Sequence, residues 1–174
     1  MTDAIDRRYT ILLDGMVGTE LEAEASDLGL EPHDHMSGIL TAHVLPRLKK
    51  KVPDLAERLE AAARVKAEAS RISRDIAREQ GIQPAHTLRV FQAIRRQPEL
   101  TREYLRATGC ETGFEAGNAL KHRLNLAIGA ISKRAAGAEV RKDDKGQPEK
   151  IRNIRGEFCG SVTVLESPSG GGSD

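Results

Sequence analysis

Positions 53 to 80 contain no glycine or proline after Pro53, and they carry a single apolar stripe. Leu55, Leu59, Ala62, Val65, Ala69, Ile72 and Ile76 follow one another in steps of 4, 3, 3, 4, 3 and 4, a mean of 3.5 residues. That is the period of a helix covered along one side by other helices. Pro53 suits the first helical position, and Asp54 favours the positive end of the helix. The stripe is rich in alanine and only three heptads long. Two covers are open to it: the same helix of a second copy, or the rest of its own chain. Aromatic residues supply 3% of the 174 positions and tryptophan none, so any core is built from Leu, Ile, Val and Ala. This composition favours helices over an aromatic-rich sandwich or barrel. The expected fold class is mainly α with a small β component.

The segments on either side punctuate clearly. Arg8-Tyr9-Thr10-Ile11-Leu12-Leu13 alternates like a short strand, and Asp14-Gly15 ends it. Met16, Val17, Leu21, Ala25 and Leu28 recur near helical spacing, with Gly29 where a C′ residue belongs. After the turn Glu31-Pro32-His33-Asp34, a second helix carries Met36, Ile39, Leu40, Val44 and Leu45, and Pro46 is expected to stop or kink it. Gly81 breaks the long helix. Leu88, Phe91 and Ile94 mark a helix near 85–96, Leu100, Tyr104 and Leu105 a helix to about 108, and Leu120, Leu124, Ile128 and Ile131 a helix over 118–136. The period then changes: a polar turn, Asp143-Asp144-Lys145-Gly146, precedes a β-prone run from Phe158 to Leu165. The expected organisation is a head over 1–50, a helical connector over 51–82, a C-terminal domain over 83–166 and a flexible tail over 167–174.

The net charge of +1 hides a division. Residues 1–46 hold two basic and nine acidic side chains, whereas residues 118–155 hold ten basic and four acidic. An acidic head and a basic body either bind different partners, or the head offsets charge that would bind polyanions indiscriminately.

The strand followed by two helices resembles the ribbon-helix-helix family over about 40 residues. The resemblance implies a dimer whose paired strands enter the DNA major groove, with Arg8 and Thr10 among the outward side chains, and whose second helix meets a phosphate near Asp34, His35 and Met36. Three helices followed by a basic hairpin resemble a winged helix-turn-helix domain over 84–166. This second resemblance makes 99–108 the supporting helix, 118–136 the recognition helix and 139–158 the wing. Arg123 and Asn125 are then the residue types that bond base edges, while Lys121, Lys133, Arg134, Arg141, Lys142, Lys145, Lys150 and Arg152 suit phosphates. The same faces serve equally as solvated surfaces of a small α+β domain.

Constellations that would support other chemistry are incomplete. His33, His35 and His43 suggest metal ligation but lie at a cap, in a turn and on a helix, where solvent is the ordinary partner. Cys110 and Cys159 form neither a disulfide framework nor a C-x-x-C pair, which fits a reducing compartment. Gly160-Ser161 lacks the rest of a nucleophile elbow, and Gly113-x-x-x-Gly117 lacks the Lys-Ser/Thr of a phosphate loop. No catalytic residue, metal or cofactor is expected, and no apolar run or leader directs the chain to a membrane, so it is expected in the cytoplasm. The expected function is sequence-specific double-stranded DNA binding by a homodimer of the prokaryotic or phage regulator type. The alternative is a protein-binding adaptor or inhibitor that uses its acidic head.

Overall fold

The computed structural model describes residues 10–168. It is mainly helical, with six helices and a small β component among the described residues. Helix α1 spans Gly15–Leu28, α2 Pro32–Lys51, α3 Pro53–Gln80, α4 His86–Arg96, α5 Pro98–Thr108 and α6 Ala119–Ala135. Four short strands follow: β1 Glu139–Val140, β2 Lys150–Arg152, β3 Ser161–Thr163 and β4 Leu165–Glu166.

The long stripe is covered by its own chain. Val65, Ala69 and Ile72 of α3 share one core with Val90, Phe91 and Ile94 of α4, Leu100 and Tyr104 of α5, and Leu124, Ile128 and Ile131 of α6. The seam's many alanines let these helices approach α3 closely. No packing gap separates the expected connector from the C-terminal domain. At about 1.5 Å per residue, α3 forms a spine of about 42 Å on which the other elements are laid.

The head is built differently. Asp14 caps α1 by accepting from the Met16 amide at 3.0 Å. Gly29, at φ +68°, closes α1, and an added Cβ there would lie 3.0 Å from the Ala135 side chain. Glycine is therefore demanded twice, by the left-handed turn and by the approach of α6. The turn 27–31 is pinned: Ser70 Oγ donates to the Leu28 carbonyl at 2.7 Å, Arg74 donates to the Asp27 carbonyl at 3.1 Å, and Arg134 donates to the Leu30 carbonyl and to Glu31. Beyond that turn little is covered. Helix α1 buries only Ala25, and α2 buries no residue.

Two expectations for the head change. Helix α2 continues through Pro46 to Lys51, so of the stop or kink expected there the stop does not occur. The carbonyl that a proline cannot bond belongs to Ala42, on an exposed stretch where solvent can reach it. Of the strand expected at 8–13, Arg8 and Tyr9 lie outside the described residues, and Thr10 to Leu13 belong to no strand. In the resemblance that strand pairs with a second chain, so a single chain offers it no ladder.

At the C-terminal end, β1 pairs antiparallel with β4 and β2 with β3, with Ile151 opposite Val162. The segments meet where the Arg141 amide donates to the Val164 carbonyl and the Val164 amide donates to the Glu149 carbonyl. The single wing expected over 139–158 is thus two turns. One is the tight 143–147 loop, and the other is the 153–160 loop between β2 and β3, with Asn153 at φ 58° and Gly156 at φ 71°. The β-prone run starting at Phe158 becomes a strand only from Ser161.

Candidate nucleic-acid interface

Helix α6 follows a loop that is long but tightly held. Glu115 folds back so that one carboxylate oxygen accepts from the Glu111 amide at 2.9 Å, the Thr112 amide at 2.8 Å and the Thr112 hydroxyl at 3.1 Å. Hydrogen bonding from the Thr112 amide first, and then from its own backbone amide, lowers its pKa to about 2. Gly113, at φ +81°, lies under Phe158, where an added Cβ would come within 2.7 Å of the ring. Asn118 then caps α6, accepting from the Lys121 amide at 2.9 Å and donating to the Thr108 carbonyl at 3.1 Å.

The inward face of α6 is Leu124, Ile128, Ile131 and Ser132. Asn125 is turned partly inward with it: its Oδ1 accepts from the Tyr104 hydroxyl at 2.7 Å, and its Nδ2 donates to the Phe158 carbonyl at 2.9 Å. Tyr104 stacks on Phe158, with centroids 4.1 Å apart and planes 6° apart. Burial pushes the Tyr104 phenol pKa well above its ordinary value. Both ends of the Asn125 amide, expected to bond base edges, are thus taken up within the chain, where they join α5, α6 and the 153–160 loop.

Several expected phosphate contacts are likewise engaged within the chain. Lys121 Nζ donates to the Glu115 carbonyl at 2.9 Å. Arg134 holds the head turn. Arg141 forms a two-pronged pair with Glu149, at 2.6 and 2.8 Å, which lowers the Glu149 pKa. On α6 the exposed side chains include His122, Arg123, Leu126 and Lys133, with Leu126 62% exposed. On the hairpins Lys142, Lys145, Lys150, Arg152 and Arg155 are exposed. Asp143 shapes the turn that carries two of these, its Oδ1 accepting from the Lys145 amide at 2.9 Å and the Gln147 amide at 2.8 Å. Thr10 is exposed, and Arg8 lies outside the described residues.

Sequence reasoning does not single out His122 or Leu126, and it places Arg155 on the basic hairpin without giving it a role. The signal available for the first two is helical phase: they lie opposite the Leu124-Ile128-Ile131 stripe.

Other reactive groups are confined. Cys110 and Cys159 are buried, and desolvation pushes the Cys159 thiol up to about 12. His35 meets Glu24 at 3.0 Å, on the surface of the head. A Ser–His contact that sequence spacing does not signal lies in the core: Ser73 Oγ is 2.8 Å from His86 Nε2 and donates to the Ser132 carbonyl at 2.8 Å. With the hydroxyl proton on Ser132, Nε2 is the donor to Ser73, so this histidine does not act as the serine's base. Both residues are fully buried, and His86 Nδ1 has no hydrogen-bond partner among the described residues.

Compared with protein-family models, curated proteins and solved structures, the chain matches none. Among the described residues no helix is long and apolar enough to cross a membrane.

Proposed function

We propose that the chain is a double-stranded DNA-binding protein of the transcription-regulator type, acting as a homodimer and not as an enzyme. The observation that carries this reading is the division of its cations. Lys121, Arg134 and Arg141 serve the fold, while Lys133, Lys142, Lys145, Lys150 and Arg152 are left exposed on α6 and on the hairpins three residues beyond it. In this reading α6 enters the major groove. Arg123 addresses guanine, Leu126 meets a thymine methyl, and the hairpin lysines and arginine contact phosphates. Phosphate contacts supply most of the affinity and make it steeply salt-dependent.

The test is fluorescence anisotropy on labelled genomic duplexes at increasing salt. Removing Lys142 and Lys145 together is expected to flatten the log K against log salt slope by about 2, roughly one for each phosphate no longer neutralised. Arg123→Ala is expected to weaken preferred duplexes more than random ones. Binding that ignores salt would overturn the reading.

A second reading is favoured by one observation. Among the described residues, nine of the thirteen exposed large apolar side chains fall between Ile11 and Val44, in the acidic head. Such a surface suits a protein partner, and a pull-down lost on deleting the head while duplex binding survives would favour it.

A further inference from the structure

A cleft of about 180 Å³ opens between the first half of α3 and the start of α6. Leu55, Leu59, Ala62 and Leu124 line it with apolar surface, and its charged lining is entirely cationic: Arg58, Lys66 and Arg123. Among the described residues, the half-buried Arg58 and Lys66 side chains make no hydrogen bond or ion pair. Half-buried cations beside an apolar floor favour an occupant that is apolar and carries carboxylates. The cleft is smaller than the roughly 300 Å³ at which enclosed ligand pockets begin, and it is open, which suits a row of side chains from a helix.

Helix α1 has the opposite chemistry. Met16, Val17 and Leu21 form an apolar stripe with Glu20 and Glu24 on the same patch, and α1 contains no basic residue. Met16 is 80% exposed. Within one chain the two surfaces do not meet. The end of α1 is held at Ser70 and Arg74, whereas the cleft begins at Leu55, so among the described residues neither stripe nor cleft covers the other.

We propose that the α1 stripe of one copy seats in the α3–α6 cleft of a second copy, and reciprocally, closing a two-fold dimer. Met16 and Val17 fill the apolar floor, and Glu20 faces Arg58 and Lys66. Reciprocal exchange closes the assembly, whereas one-way exchange would build open chains. This inference rests on the dimer proposed above and names its interface; His122, Leu126 and Lys133 of α6 lie outside the cleft lining and stay clear for duplex, while Arg123 stands where the two surfaces adjoin.

Sedimentation velocity on the full chain tests it, with DNA binding measured separately by anisotropy. The expected mass is twice the 19.0 kDa of the chain at low ionic strength, with dissociation at high ionic strength. Glu20→Lys and Arg58→Glu are each expected to weaken the dimer roughly tenfold or more. Mixing the two variants is expected to restore it, because the mixed pair has one native and one reversed contact. Should either variant lose its helical circular dichroism, Met16→Ser and the salt titration of the unaltered protein decide instead, both expected to favour monomer. A dimer indifferent to both charge reversals, or to Met16→Ser and salt, overturns this interface and leaves the dimer reading standing. A monomer at every concentration overturns both, and duplex binding is judged on its own measurement.

Discussion

The two ends of the chain use their side chains in opposite ways. In the C-terminal half, polar groups that would otherwise face solvent are drawn into the packing. Asn125 joins Tyr104 to Phe158, and Glu115 winds its own loop around one carboxylate oxygen. In the head, apolar side chains that would ordinarily be buried stand in solvent, and α2 runs for 20 residues with none buried. The first region is complete as a single chain. The second has the composition of a surface waiting for cover, pinned to the first at the turn 27–31 and where Lys49 of α2 meets Glu60 of α3 at 2.7 Å. The difference teaches that this molecule's stability and its associations reside in different parts of it, so mutations should separate them.

Tyr104→Ala should have the largest effect. It removes a fully buried ring from the stack on Phe158 and should cost about 3–5 kcal/mol in chemical denaturation. A loss below about 1 kcal/mol would show that the C-terminal core is not the stable half.

Asn125→Ala comes next, at about 2–3 kcal/mol, because it strands the Tyr104 hydroxyl and the Phe158 carbonyl. If Asn125 instead read bases, the variant would keep its stability and lose only duplex affinity.

Arg134→Ala should cost about 1–2 kcal/mol and, more tellingly, free the head turn. Amide hydrogen exchange at residues 27–31 is expected to accelerate while α4 and α5 remain protected. Uniform acceleration would contradict the division between the halves.

A milder effect should appear with pH. Desolvation lowers the His86 pKa below its ordinary 6.5, with Arg89 adding to the shift. The unfolded chain then binds a proton that the folded chain resists, so stability is full above about pH 6.5 and falls as pH drops below it. His86→Gln should flatten the thermal-melt profile in that window. Glu115 acts in a separate, more acidic window, from about 4.5 down to about 2.

The smallest effect on folding is expected in the head. Leu40→Ser, at a side chain already 51% exposed, should change stability by no more than about 0.5 kcal/mol. A larger loss, measured at concentrations where the protein is dimeric, would mark Leu40 as part of an interface.

What could be read in the sequence was local. Helix spans near those of α1, α3, α4, α5 and α6 follow from apolar spacing and from boundary residues such as Gly29 and Pro53, because a helix closes its hydrogen bonds within four residues and its stop signals lie beside it. The hairpin's basic character and the acid–base division of the chain were legible for the same reason. The cover of the α3 stripe and the availability of each cation were not, because those depend on partners distant in sequence. Arg134 meets Leu30 and Glu31 across more than 100 positions, and Asn125 meets Phe158 across 33. Residue type determined what each side chain was able to bond. Only the tertiary structure decided whether the chain itself had already taken that bond, since a polar group drawn into packing must find its partner there or bear the full cost of leaving water.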